Sequence, residues 1–214
     1  MDTTHEPTNE RQMAAAGNQS SRPQLILDVG GVLAANLTDF WRYAASAAGL
    51  SYSVLRGRYK EQLRTSLWTG ELSEAAFWGW LAEACPLLKT EQAQAALQSC
   101  LKPLPALALL PRWHHIADIH ILSNHRAEWL RPWLAPYRNY LTSLTISSEA
   151  GCCKPDPALY RLAAVNLLPG RNTLYVDDAE HNLVPAAALG WHTLLADPEG
   201  YWVNQVEDLL ACST

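Results

Sequence analysis

The first continuous apolar run, Gln24-Leu25-Ile26-Leu27-Asp28-Val29, stops at Gly30-Gly31 and predicts a buried strand closing in a tight turn. Past it the apolar positions change period. From about Asn36 to Cys100 they recur at helical spacing only. The pattern predicts a helix through Phe40, Trp41, Tyr43 and Ala44, capped by Thr38 and stopped at Gly49. A second covers Val54 to Leu67, Ser73 opens a third that ends before Pro86, and Thr90 caps a fourth running through Leu97.

After Pro103, strands and helices alternate. Ile119 to Ser123 reads as a strand followed by a helix from about Arg126 to Leu134, and Leu144 to Ser147 as a short strand. A helix from Pro157 to Leu167, ended by Pro169-Gly170, precedes the strand Thr173 to Asp177, itself followed by a helix ending near Gly190. Trp191 to Leu195 supplies a last strand and Val203 to Leu210 a last helix. Strands separated by helices imply an α/β fold with a Rossmann-like parallel sheet. The expected organisation is a discontinuous core, residues 23–35 and 103–214, with an inserted all-helical cap at 36–102. Residues 1–22, polar and without period, read as a flexible tail.

Composition narrows the function. The chain has 214 residues, 49% of them hydrophobic, and a formal charge of −5. With no concentrated block of Lys and Arg, nucleic acid is not an expected partner. No apolar run approaches the roughly 20 residues needed to cross a bilayer, and the first residues lack the basic and apolar regions of a signal peptide. Five cysteines, an odd number with no zinc-ligand spacing, favour reduced thiols and a cytoplasmic location. Nine tryptophans predict aromatic packing in the core or between the two parts, with one or two lining a pocket. Oligomeric state is not legible.

The chemistry lies at strand ends. Asp28, Ser123 and Asp177 each terminate a predicted strand, where ligands sit in open α/β sheets. Singly, each has a plainer reading: Asp28 in turn chemistry, Ser123-Asn124 as a helix cap, Lys154-Pro155-Asp156-Pro157 as a loop feeding a helix, Asp177-Asp178 as a solvated turn. Jointly they do not. Asp177 and Asp178 with Asp28 repel one another unless a cation sits among them, and Mg²⁺ prefers carboxylates supplemented by water and phosphate oxygens. A hydroxyl, nearby backbone amides and one lysine are the donors a phosphoryl group requires.

The four segments in this order resemble the haloacid dehalogenase-like (HAD) hydrolases: Leu-Ile-Leu-Asp28-Val-Gly30-Gly-Val-Leu, Ile-Leu-Ser123-Asn124, Gly151-Cys-Cys-Lys154-Pro-Asp-Pro-Ala-Leu-Tyr160 and Tyr-Val-Asp177-Asp178-Ala-Glu-His-Asn182. The stretch Trp68-Thr-Gly70-Glu71-Leu72-Ser-Glu-Ala-Ala-Phe77-Trp78 is similar to the cap of phosphatases acting on sugar 1-phosphates. The resemblance implies a phosphoric monoester hydrolase working through an aspartyl phosphate. It makes Asp28 the nucleophile and a metal ligand. The carbonyl of Gly30, together with Asp178 and Asp177, would be the further Mg²⁺ ligands. Ser123, Asn124 and Lys154 would hold the phosphoryl group of a small metabolite, and Trp41, Trp68 and Glu71 would set specificity from the cap.

Most phosphatases of that family carry a second aspartate two positions after the nucleophile, where this chain has Gly30. A general acid is worth about 10²–10⁴ in rate. Three explanations compete. A sugar 1-phosphate or acyl phosphate departs with little protonation, and the similar sugar 1-phosphate phosphatases also carry Gly there. His125, directly after Ser123-Asn124, is a candidate substitute acid, against a favoured plainer reading as an exposed residue opening a helix. Or catalysis is impaired and the chain binds phosphate or a metabolite. The retained nucleophile, lysine and aspartate pair favour the first. Two other classes fit less well. A dehalogenase needs no metal among its acids, and a signalling receiver domain carries its acid pair with the first strand.

Overall fold

The computed structural model describes residues 22–211. The expected tail, 1–22, lies outside them except for Arg22, which is not loose: it pairs with Asp118 at 3.1 Å and donates to the carbonyl of Ala117 at 2.8 Å. Strand β1 (Gln24–Leu27) leads into five helices. These are α1 (Thr38–Ala47), α2 (Tyr52–Gln62), α3 (Arg64–Thr69), α4 (Glu74–Ala84) and α5 (Thr90–Cys100). Then come α6 (Leu110–Ile116), β2 (Asp118–Ser123), α7 (Ala127–Leu134), β3 (Ser143–Ile146) and α8 (Ser147–Ala150). The chain continues with α9 (Pro157–Ala164), β4 (Thr173–Asp177), α10 (Glu180–Ala188), β5 (His192–Leu195) and α11 (Val206–Ala211). The strands form one all-parallel sheet in the order β3-β2-β1-β4-β5.

Alternation along the strands serves both faces. Leu25, Leu27, Ile119, Ile121, Leu174 and Val176 enter one apolar cluster with Leu110, Trp113 and Trp202, whereas Ile26, Leu122 and Tyr175 enter another with Leu159, Tyr160 and Trp191. Near-continuous apolar strands are what a sheet covered by helices on both sides demands.

The helices between β1 and β2 enclose a third cluster around Phe40, Trp41, Leu55, Tyr59, Phe77 and Trp78. Two chain segments lead in and out side by side: Leu104 donates to the Leu33 carbonyl and Ala35 to the Lys102 carbonyl, both at 2.8 Å. The helical block is also clamped from α7. Trp129 is buried in its cluster and donates to Glu74 at 2.7 Å, while Arg126 donates to the Leu72 carbonyl at 2.6 Å. At Gly70 (φ +82°) a Cβ would lie 2.1 Å from the Ser148 carbonyl oxygen, so only glycine permits that backbone approach.

Local signals were partly misread. Ser73 caps α4 as expected, accepting from the Ala76 amide at 3.2 Å. Thr38 and Thr90 do not cap: each is the first helical residue, and neither helix start has a side-chain cap bond. The helix expected over Val54 to Leu67 is two, broken at Leu63, whose φ of −130° departs from helical geometry. Periodicity cannot register a one-residue turn that leaves the same side chains facing inward. Helix α6 and the 3₁₀ turn Pro105–Leu109 before it were not foreseen, although they bury Leu107, Leu110 and Trp113. The last helix begins at Val206, after a 3₁₀ segment over Tyr201–Gln205.

Candidate active site

The sheet register assembles the site. Ile26 is opposite Tyr175 and Leu27 opposite Val176, so the next positions, Asp28 and Asp177, emerge side by side. Asp28 still donates its amide to the Val176 carbonyl at 3.0 Å. Strand parity puts Asp28 and Asp177 on the face of Ile26 and Tyr175. Asp178 follows, and carboxylate oxygens of Asp28, Asp177 and Asp178 lie within 4.8 Å of one another.

Lys154, in the loop before α9, is buried against this cluster, its Nζ 2.6 Å from Asp177 and 3.0 Å from Asp28. The loop is fixed by Asn124, whose side chain accepts from the Lys154 amide at 2.7 Å and donates to its carbonyl at 2.9 Å. Asp156 accepts from the Ala158 amide at 2.8 Å to start α9. Asp177 takes further hydrogen bonds from Tyr175 Oη, from Asn182 at 2.9 Å and from the Ala179 amide at 2.9 Å. Lys154 also donates to Tyr175 Oη at 3.2 Å.

The glycine pair after β1 makes room for side chains from elsewhere. A Cβ on Gly31 (φ +72°) would stand 2.1 Å from an Asp178 carboxylate oxygen, so Asp178 packs directly over that backbone. A Cβ on Gly30 would stand 2.7 Å from Asn36 Oδ1, while Asn36 Nδ2 donates to Asp178 at 2.9 Å. The Asn36 amide therefore fills the space a longer residue at position 30 would need.

The electrostatics are those of an anionic cluster short of positive charge. Three carboxylates against one ammonium leave a formal charge of −2. Burial, opposed by Lys154 and reinforced by Asp177, raises the Asp28 carboxyl to about 7. Burial would also raise Asp177, but Lys154 and the hydrogen bonds from Lys154, Tyr175 and Asn182 hold it below its ordinary value. Burial works against the charge of Lys154, yet its two aspartates keep it protonated. Asp28 Oδ1 is buried with Lys154 Nζ 3.0 Å away. A hard divalent cation fits such a set: oxygen donors only and two surplus negative charges.

A cavity of about 400 Å³ opens in front of Asp28, lined by Gly30, Asn36, Asn124, His125, Lys154 and Asn182 from the sheet side. Trp41, Arg56, Tyr59, Lys60, Arg64 and Trp68 line it from the helical block. Of the residues picked out in the sequence, Asp28, Asp177, Asp178 and Lys154 are brought together and Asn124 braces them. Ser123 is buried at the end of β2 and is not among the cavity-lining residues. Trp41 and Trp68 reach the cavity; Glu71 does not. His125 reaches it as a neutral ring: burial lowers it to about 4, Nδ1 lies 3.2 Å from the Arg126 carbonyl oxygen, and Nε2 has no partner. A histidine neutral at physiological pH is a poor substitute acid.

Sequence reasoning overlooked Asn36 and Tyr175, which position the acids. Tyr175 carried a signal, standing two residues before Asp177 and hence on its face of the strand. It also overlooked Arg56, Tyr59, Lys60 and Arg64.

No protein-family model matches the chain. HAD family enzyme bt-2542 from Bacteroides thetaiotaomicron superposes with a TM-score of 0.73 at 20% identity, over 87% of this chain and 99% of that one. The predicted HAD-like family hydrolase of Porphyromonas gingivalis gives 0.71 at 21%, over 91% and 100%. The chain has the haloacid dehalogenase-like fold. A further structure of the bt-2542 enzyme, with a TM-score of 0.71 and 20% identity over 86% of this chain and 98% of that one, is a complex with magnesium and inorganic phosphate. Among curated proteins, mouse acyl-CoA dehydrogenase family member 10 is 39% identical over 61 residues, which is 28% of this chain and 6% of the mouse protein. Likeness at these identities carries the HAD-like architecture; the chemistry rests on the side chains.

Proposed function

We propose that the protein is an Mg²⁺-dependent phosphatase that uses Asp28 as a covalent nucleophile on a small phosphorylated metabolite. The observation that carries this reading is the convergence of Asp28, Asp177, Asp178 and Lys154 at the ends of β1 and β4, with Asp28 facing a cavity. The magnesium and phosphate complex of the bt-2542 enzyme supports it at the level of the fold.

Asp28, Asp178 and the Gly30 carbonyl, with Asp177 directly or through water, would hold the ion, which supplies electrophilic charge to the phosphoryl oxygens. An Asp28 oxygen attacks phosphorus, and the bond to the leaving oxygen breaks with its electron pair remaining on that oxygen. Water then attacks the phosphorus of the aspartyl phosphate, releasing inorganic phosphate and restoring the carboxylate. Lys154 offsets charge on the nucleophile and on the transferred group. The Asn124 backbone amide would bind a phosphoryl oxygen, and Ser123, buried just off the cavity lining, would support it from the end of β2. The helical block, residues 36–102, acts as a cap excluding water.

With Asn36 filling the space beside Gly30 and His125 neutral, neither position supplies an acid for the leaving group. That favours a substrate needing little protonation, a sugar 1-phosphate or an acyl phosphate. The same observation favours the second reading, a phosphate- or metabolite-binding protein. A dehalogenase reading leaves the crowding of three carboxylates without purpose. The four free cysteines among the described residues fit a cytoplasmic location.

A panel of phosphate esters assayed with and without Mg²⁺ tests the proposal. We expect turnover of at least one sugar 1-phosphate or acyl phosphate, lost with EDTA and lost in Asp28→Asn. Turnover of nothing by the wild type, with ligand binding kept in Asp28→Asn, establishes the binding protein instead.

A further inference from the structure

The cavity holds more positive charge than one phosphoryl group can use. Its lining includes four cationic side chains, Arg56, Lys60, Arg64 and Lys154, against the single carboxylate of Asp28. Lys154 is committed to Asp28 and Asp177. The other three lie on α2 and α3, and all of them line the cavity. None has a carboxylate within ion-pair distance among the described residues. Arg56 is instead held over aromatic rings, its guanidinium carbon 5.1 Å from the centre of Trp41 and 5.0 Å from that of Tyr59.

A second feature lies beside Arg56. Tyr59 is 1% exposed, lines the cavity, and among the described residues its hydroxyl has no well-directed partner beyond the Arg56 guanidinium beside it. A buried phenol with no acceptor for its proton costs about 1–3 kcal/mol, which a ligand oxygen accepting that proton would recover.

Resting on the phosphatase reading, we infer that the substrate carries a second anionic group, a carboxylate or a second phosphate, at the end remote from the scissile phosphoryl. Arg56, Lys60, Arg64 and the Tyr59 hydroxyl receive it. The metal and Lys154 take the reacting phosphate, and the side chains of the helical block that line the cavity take the second anion. Arginine suits either oxyanion, because its planar fork donates to two oxygens at once. The same three charges draw an anionic substrate into the cleft at an increased rate.

The test compares glucose 1-phosphate, glucuronic acid 1-phosphate and glucose 1,6-bisphosphate, with acetyl phosphate as a reference lacking any remote group. We expect kcat/KM for one or both doubly anionic sugars to exceed that for glucose 1-phosphate at least tenfold, and their ratio to distinguish carboxylate from phosphate. Arg64→Gln and Tyr59→Phe should reduce that preference about tenfold, chiefly through KM, and Arg64→Lys should keep most of it. Equal or better use of glucose 1-phosphate, or variants that slow neutral and doubly anionic substrates alike, overturns the inference while leaving the phosphatase reading intact. Should none of the four compounds turn over, the phosphatase reading loses its favoured substrates. Calorimetric titration of the three sugars onto the Mg²⁺-loaded Asp28→Asn protein then decides the inference: tenfold tighter binding of a doubly anionic sugar supports it, and equal binding ends it.

Discussion

Replacing Lys154 by Met removes the one positive charge buried among the aspartates, and the consequence can be worked from the geometry. At 2.6 and 3.0 Å, and at an effective dielectric of about 20, each attraction is gross about 5–6 kcal/mol. Desolvation of the ammonium cancels much of that. Truncating one partner of a buried ion pair typically leaves a net loss of about 3–5 kcal/mol. Against a native stability of about 5–15 kcal/mol the variant should still fold, and urea denaturation followed by circular dichroism, without Mg²⁺, measures the loss. The deficit should be larger at pH 8 and above than at pH 7 and below. Asp28, raised by burial to about 7 with Lys154 present and higher without it, takes up a proton in the variant before it does so in the wild type, and below about 7 both carry it. Adding Asp177→Asn should recover about 1–3 kcal/mol relative to additivity, as expected for groups in direct contact. A deficit below about 1 kcal/mol at pH 8, or strictly additive effects, would falsify the view that these groups form one charge-balanced unit.

Two further outcomes follow from the same coordinates. His120 and His125 are both held by burial at about 4, below their ordinary 6.5. The folded state therefore binds fewer protons than the unfolded one in that interval, and stability falls as pH drops from about 6.5 towards 4, by up to about 3 kcal/mol for each ring. Chemical denaturation of His120→Phe across this window should show a shallower slope than the wild type; an unchanged slope refutes the assignment for His120. Gly31→Ala combines a left-handed backbone with a Cβ 2.1 Å from the Asp178 carboxylate. A stability loss of about 1–2 kcal/mol should accompany at least tenfold weaker Mg²⁺ binding by calorimetry, and wild-type affinity would show that Asp178 does not depend on that backbone.

Much of the fold was legible because parallel strands buried on both faces and helices with one buried face leave different periods in the chain. The strand Thr173 to Asp177 was read to the residue. Helix α3 was missed as a separate element because one backbone angle at Leu63 separates it from α2 without altering the apolar spacing. Thr38 and Thr90 misled because a cap is a geometry, not a residue type: each hydroxyl sits one position too far along to accept from the helix.

The sequence by itself determined the alternation that forces a parallel sheet, and it put acids, a hydroxyl and a lysine at the ends or loops of that sheet, since turn residues and apolar runs are local properties. Only the tertiary structure decided which of them meet. Strand register, set by packing across the whole sheet, brought Asp28 beside Asp177, and two glycines without side chains admitted Asp178 and Asn36. The cationic wall facing Asp28 was likewise invisible in the chain. Arg56, Lys60 and Arg64 were not singled out there, and docking of the helical block through Trp129 and Arg126 brings them to the cavity.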